Sequence, residues 1–215
     1  MAQHFALTQQ STVSLKPADS SLHSIELLGN YNPQDDILVR VIDHNRCISK
    51  DFICNRERVI KGMPYFDRFY KNRLSLDELD IVVHCDVKIF DILVNYLDAD
   101  VEPRLDFNSA VPVMISANFL GIDSIVEKCL VFVSKHLEEV LRLPVDLSCV
   151  KVQLIERLAE KVALPDLATL YDPKDKISSK LYQRKLTNLI DCSSGQDSQL
   201  RLCTQCQTLF VRSIT

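Results

Sequence analysis

The chain has 215 residues, of which 47% are hydrophobic, and this length and composition are typical of one globular domain with an extension. Its net charge of −4 and its lack of an extended basic block exclude the electrostatic footprint that nucleic-acid affinity requires, so we expect no direct contact with nucleic acid. Residues 1–10 lack the charged start and apolar core of a signal peptide, and no stretch reaches the ~18 apolar residues of a membrane span. We therefore expect an intracellular protein, nuclear or cytoplasmic, that does not enter a membrane.

The first 34 residues are rich in Ser, Gln and Thr, a composition that predicts a largely flexible tail. An apolar cluster within this tail is expected either to dock on the domain or on a second copy, or to stay frayed. Its members are Leu22, Ile25, Leu27 and Leu28.

Two segments predict a small β-sheet. Alternating apolar residues from Ile37 to Ile42, turn residues at 43–46 and a second apolar run from about Cys47 to Ile53 predict a β-hairpin. The same alternation over residues 79–84 predicts a third strand.

Helical periodicity and capping residues predict helices around this sheet. Gly62 and Gly121 are predicted to end two of these helices. The last predicted helix has an apolar face that runs from Ile122 to Val140, about five turns. Asn55 and Asp86 are predicted to cap two of these helices, and the others are predicted to begin at Pro64, Asn108 and Ile122.

The C-terminal third repeats the helical pattern. Apolar periodicity between Pro144 and Pro165 and between Lys176 and Ile190 predicts two more helices, which together form an all-helical extension. The polar residues 191–199 then predict a linker.

Residues 51–66, the predicted strand at 80–84 and the predicted helix at 87–97 together resemble the BTB/POZ domain family. The resemblance implies an α+β fold in which a small sheet is flanked by helices, followed here by the all-helical C-terminal extension. On this basis the chain divides into a largely flexible tail at 1–34, a BTB/POZ-like domain at 35–142, a helical extension at 143–190 and a linker with a cysteine-containing tail at 191–215.

This resemblance implies a non-catalytic protein–protein interaction module that forms homodimers. Its partners would be a second copy and proteins such as corepressor components, in the role of an adaptor or a transcription-linked regulator. We accordingly expect no enzymatic activity and no cofactor. A SANT module, which accompanies the domain in one family member, is not recognised in this sequence, so we do not expect a chromatin function from it.

A second interpretation concerns the predicted helices near 150–163 and 176–190. They resemble the helical hairpin that follows the BTB domain in substrate adaptors of cullin-type ubiquitin ligases. A cullin scaffold is therefore an alternative partner.

The resemblance also implies a dimer pocket containing a buried Asp and a buried Arg, which match Asp36 and Arg56. The Arg match rests on residues 52–66, which align without gaps. The His that usually precedes this Arg is Asn55 here, which keeps a helix cap but removes contacts that depend on a His. The alternative is that Asp36 and Arg56 are two solvated surface charges beside the hairpin.

Cys203 and Cys206 have the two-residue spacing that lets two thiolates bind one tetrahedral zinc ion. They supply only part of a closed site, which would also require Cys192, a distant His or a second chain. A small zinc-binding protein is thus a further alternative. A redox role would require a helix N-terminus in a βαβ unit, which the pattern does not predict. We expect the pair to be dispensable for protein interaction.

His84, Cys85 and Asp86 combine the residue types of a base, a nucleophile and a carboxylate. Adjacent residues at a strand end point to opposite faces and cannot form the relay that a Cys–His pair requires. We therefore predict a strand end with a buried Cys85 and with Asp86 as a helix cap.

Overall fold

A computed structural model describes residues 13–16, 31–32, 34–70, 80–99, 102–193, 198–206 and 209–213. The apolar cluster predicted at residues 22–28 lies outside the described residues. Two compact units contain the described residues: an N-terminal unit within Leu7–Phe132 and a C-terminal unit within Val133–Thr215. The two units are described separately below.

The N-terminal unit contains a four-stranded mixed sheet with the strand order β1-β4-β2-β3. The predicted hairpin is confirmed, because β2 and β3 pair antiparallel with Val39 opposite Phe52. Strand β4 runs parallel to β2, and β1 pairs antiparallel with β4. Strand β1, Val13–Lys16, lies within the segment 1–34 that the sequence predicts to be a largely flexible tail. The strands are β1 Val13–Lys16, β2 Asp36–Asp43, β3 Ile48–Asn55 and β4 Asp80–His84.

Helices follow the strands of this unit in the predicted order. Two predicted caps are confirmed: Asn55 Oδ1 accepts the N–H of Arg58 at 3.1 Å, and Asp86 Oδ1 accepts the N–H of Lys88 at 2.7 Å. The helices are α1 Arg56–Gly62, α2 Pro64–Tyr70, α3 Val87–Ala99, α4 Ala110–Leu120 and α5 Asp123–Lys135, whose last turn extends into the C-terminal unit.

Helix α4 begins two residues later than predicted. The carboxylate of Asp106 accepts the N–H groups of Asn108 and Ser109 at 2.9 and 2.7 Å, which holds these residues in a turn before the helix. Its end is as predicted: Gly121 has a φ of 85°, the left-handed conformation that ends a helix at low cost for glycine. Its N–H donates to the carbonyl of Ala117 at 2.9 Å.

Aromatic residues occupy the core of the N-terminal unit. Phe66 and Phe90 are 1% exposed, and the rings of Phe52 and Phe90 meet edge to face with centroids 5.1 Å apart. Phe132, which the apolar pattern also assigns to a buried face, is only half buried and pairs with the exposed ring of Phe107 at 5.8 Å. Phe132 therefore lies at the margin of the core.

The C-terminal unit is helical up to Ser193 and then forms a β-hairpin. The long helix predicted to continue to Val140 is interrupted at His136, where the backbone leaves the helical conformation, and the segment 191–199 is not wholly a linker. Helix α9 enters it and strand β5 begins within it. The elements are α6 Leu137–Arg142, α7 Val152–Lys161, α8 Leu164–Thr169, α9 Ser178–Ser193, β5 Ser198–Leu202 and β6 Leu209–Ser213.

Side-chain and main-chain bonds hold α9 in place within this unit. The carboxylate of Asp172 accepts the N–H groups of Lys176, Ile177 and Ser178 at 3.0 to 3.1 Å. Burial tends to raise the pKa of Asp172, but these donors outweigh it, so the pKa lies below its ordinary value. Leu158 on α7 and Leu181 on α9 are buried by at least 99%. Helices α7 and α9 are also joined by an ion pair between Glu156 and Arg184 at 3.2 Å.

Throughout the described residues, helices fall short of the length and apolar character that crossing a membrane requires.

Candidate interaction site at Asp36 and Arg56

Asp36 and Arg56 lie side by side where β2, β3 and α1 meet. Asp36 begins β2 opposite Asn55, the last residue of β3, and Arg56 is the first residue of α1. Arg56 Nη2 donates to the main-chain oxygen of Asp36 at 3.2 Å, and the N–H of Arg56 donates to the carbonyl of Asp35 at 2.8 Å. The hairpin register thus brings together the two residues that the sequence assigns to a pocket.

The turn before β2 orients the carboxylate of Asp36. The N–H of Asn32 donates to Asp36 Oδ2 at 2.9 Å, and Asn32 Nδ2 donates to Asp35 Oδ2 at 2.7 Å. The side chains of Asp36 and Arg56 are both half buried. Partial desolvation and fixed hydrogen bonds distinguish this pair from fully solvated surface charges.

A second polar cluster, which sequence analysis did not identify, lies at the opposite end of β2. This histidine cluster consists of Asp43, His44, Arg46, His84 and Asp86. His44 Nε2 lies 2.8 Å from His84 Nδ1, and the two rings stack with centroids 4.8 Å apart. Burial and then the neighbouring His44 lower the pKa of His84 below its ordinary value. The parallel register of β2 and β4, with Ile42 opposite His84, brings the two histidines together.

Ion pairs and a turn complete the histidine cluster. The carboxylate of Asp43, which is 3% exposed, accepts the N–H groups of Asn45 and Arg46 at 3.0 and 3.1 Å. Arg46 Nη1 lies 3.8 Å from Asp43 and 3.0 Å from Asp86. The buried carboxylate is therefore compensated by main-chain donors and by a guanidinium.

His84 and Asp86 follow the predicted structural interpretation, whereas Cys85, which was predicted to be buried, is partly exposed. His84 contacts His44, and Asp86 caps α3. Burial, followed by the charges of Asp86 and Asp43, raises the pKa of the Cys85 thiol to about 12. A thiol with this pKa is protonated at neutral pH, so Cys85 lacks the thiolate character of a nucleophile.

Cys203 and Cys206 lie in the C-terminal unit, in the connection between β5 and β6. Cys203 is partly exposed and Cys206 is exposed, and neither forms a disulfide. In the parts of the chain that the structure describes, no group of three or more His, Cys, Asp or Glu side chains is arranged to hold a metal ion.

The small sheet and the helices that flank it form an α+β fold that is consistent with the BTB/POZ class. Residues 37–130 match the family model described as the BTB domain of SANT and BTB domain regulator of CSR. Over those residues the chain is therefore similar to a BTB domain of this family. Domains of this class mediate protein–protein interactions and are generally non-catalytic.

Proposed function

We propose that the chain is a homodimerising adaptor or transcription-linked regulator that recruits other proteins through its BTB domain. The family match supports a binding role, and one geometric observation carries the finer proposal. Asp36 and Arg56 are half buried, adjacent and held by hydrogen bonds inside the matched segment or next to it. Charges held in a fixed orientation suit recognition of complementary charges on a second copy, because little side-chain entropy is lost on association.

Light scattering over a range of micromolar concentrations tests the dimer. The expected mass is twice the chain mass of 24.5 kDa, since a stable interface of ~1,200 Å² or more would hold two copies together. A mass of one chain at every concentration would reject the dimer.

A pair of arginine variants tests the role of the pocket. Arg56→Ala removes the half-buried guanidinium, and Arg58→Ala, on the same helix, removes an exposed one. We expect Arg56→Ala to weaken dimerisation at least tenfold and Arg58→Ala to leave it unchanged, with the far-ultraviolet circular dichroism of both variants like that of the unaltered chain. Equal dimer affinities for the two variants would show that Arg56 does not contribute to the interface.

A second candidate, a substrate adaptor of a cullin-type ubiquitin ligase, is favoured by the helix pair α7 and α9 that follows the BTB domain. The two helices are joined by the Glu156–Arg184 ion pair and by buried leucines. Affinity capture from nuclear and cytoplasmic extracts, followed by mass spectrometry, separates the two candidates. Cullin peptides would favour the ligase adaptor, and corepressor peptides would favour the transcription-linked regulator.

A further inference from the structure

The β5–β6 hairpin places two thiols at its turn. Leu202, the last residue of β5, pairs with Leu209, the first residue of β6, and the residues between them include Cys203 and Cys206. Cys203 directly follows the last residue of β5, and residues 204–206 lie in a turn. The chain reversal therefore keeps both cysteines at one end of the hairpin.

This setting favours metal binding over redox chemistry. A redox pair depends on a helix N-terminus that lowers the pKa of one thiol, whereas Cys203 follows a strand and Cys206 lies in a turn. Two cysteines separated by two residues are the half-site of structural tetrahedral zinc centres. Zinc has a preference for four protein ligands in such centres, so the hairpin supplies two of the four that are required.

Contrary to the expectation from sequence that the pair is dispensable for protein interaction, we propose that the hairpins of two copies of this chain share one zinc ion, bound by Cys203 and Cys206 of each copy. The proposal rests on the homodimer proposed above, because two copies already held together bring their hairpins to a high effective concentration. In a two-fold symmetric dimer each copy contributes the same two thiols, so the two copies together supply the four ligands of the site.

Exposed apolar side chains on the hairpin support a second copy as the occupant. Leu202 is 52% exposed and Phe210 is 43% exposed, and each lies on a strand that leads into or out of the turn. The strand register places Leu202 and Phe210 on opposite faces of the hairpin, so a second hairpin that meets the first at the metal would cover one of these two apolar side chains, which are costly to leave in water.

Charge and proton balance are also favourable. Each of the four thiols releases one proton to the solvent when its sulfur binds zinc, and the resulting centre carries a net charge of −2. Arg201 is exposed and precedes Leu202 and Cys203, so two copies would place two guanidinium groups close to this negative charge. The four S–Zn bonds form without a change in oxidation state.

Metal titration of the full chain tests the proposal. The chain, stripped with a chelator and kept reduced, is titrated with Co²⁺ alone and then with Zn²⁺ alone. We expect the visible and charge-transfer absorption of a tetrahedral cobalt thiolate centre to saturate at about half an ion per chain, and to disappear when zinc displaces cobalt. Saturation at one ion per chain, or no thiolate absorption, would overturn the shared site.

Two matched double variants assign the ligands. Cys203→Ser with Cys206→Ser should reduce bound zinc at least tenfold. Cys47→Ser with Cys149→Ser removes one exposed and one partly exposed thiol elsewhere and should leave zinc binding unchanged. Zinc binding that survives the first double variant, or is lost in the second, would contradict the assignment.

Light scattering in the presence of a chelator separates this inference from the proposed function. If the chain is dimeric in chelator but binds no zinc, the result supports the BTB dimer and contradicts the shared zinc site. If the chain is monomeric in chelator and dimeric with half an equivalent of zinc, the result supports the shared site and contradicts a dimer formed by the BTB domain alone.

Discussion

The two units differ in how completely they enclose their large apolar side chains. Among the described residues, the N-terminal unit exposes three of these side chains and the C-terminal unit exposes seven, although each unit has a buried core. Large exposed apolar surface commonly marks a site of protein interaction. The exposed side chains of the N-terminal unit are Ile48, Phe107 and Val131, and those of the C-terminal unit are Val152, Tyr171, Tyr182, Leu186, Ile190, Leu202 and Phe210.

Helix α9 shows the difference within a single element. Leu181 is fully buried, whereas Tyr182, Leu186 and Ile190 recur at intervals of four residues and are 43 to 51% exposed. An interval of four residues keeps side chains on one face of a helix. Helix α9 of the C-terminal unit thus has one buried apolar face and one exposed apolar face. The candidate site of the N-terminal unit, by contrast, consists of charged side chains.

The largest expected effect is on the core of the N-terminal unit. Phe90→Ala should lower the free energy of unfolding by ~3–5 kcal/mol, because it removes a fully buried ring that meets Phe52 edge to face. Phe107→Ala, which truncates a 40% exposed ring, should cost clearly less. Urea denaturation measures both values.

The half-buried Phe132 provides an intermediate step in this series. Phe132→Ala should cost more than Phe107→Ala and less than Phe90→Ala if burial governs the loss. A Phe90→Ala variant that melts within a degree or two of the unaltered chain would show that α3 does not pack on the sheet as described.

A smaller effect should separate the two faces of α9. Leu181→Ala should cost ~2–5 kcal/mol, whereas Leu186→Ala should change the free energy of unfolding by less than ~1 kcal/mol, because Leu186 is half exposed in the described chain. Hydrogen exchange followed by mass spectrometry locates the loss. We expect amides of the C-terminal unit to lose protection in Leu181→Ala and those of β2 and β3 to keep theirs.

The same measurement can show that the two units do not differ in how completely they cover their apolar side chains. Equal and large losses in Leu181→Ala and Leu186→Ala would mean that Leu186 is covered in solution. The exposed face of α9 would then be an interface already in use by the free protein.

Local signals made much of the fold predictable. Asn55 and Asp86 cap their helices through side-chain oxygens, and Gly121 ends α4 with a positive φ, so short stretches of sequence suffice to locate these helix ends. Strand β1 was missed because its four residues pair with β4 across more than sixty intervening positions, and no local pattern encodes such a pairing. Strands β5 and β6 were missed because the polar residues before β5 have the composition of a linker.

The candidate sites were predictable to different degrees. Asp36 and Arg56 were assigned by family resemblance, and their adjacency depends on the hairpin register. The contact between His44 and His84 depends on the parallel register of β2 and β4, which neither strand specifies alone. Side chains that meet through a long-range register are therefore the part of a site that sequence reasoning is least able to find.

The smallest expected effect is a loss of stability at acidic pH. The two units should differ in this loss because different groups titrate in each. In the N-terminal unit, the pKa of His84 is lowered from 6.5, because burial and the adjacent His44 disfavour its charged form. In the C-terminal unit, the pKa of Asp172 is lowered from 3.8 by the N–H donors at the start of α9 that outweigh its burial. The contribution of each group to stability is present above its unfolded-state pKa and is lost as the pH falls through its folded-state pKa.

Mild acidification should therefore weaken the N-terminal unit first. Between pH 7.5 and pH 5, we expect the Tm of the N-terminal unit to fall as the unfolded state takes up a proton that His84 resists in the folded state, while the Asp172 contribution remains intact. His84→Gln should reduce this fall, since it removes the titrating ring, and His136→Gln in the C-terminal unit should not. Hydrogen exchange at the two pH values, corrected for the intrinsic rate, assigns the loss to one unit. Asp43, Arg46 and Asp86 face the histidine pair. An identical fall in the unaltered chain and in His84→Gln would mean that some other group governs the acid sensitivity of the N-terminal unit.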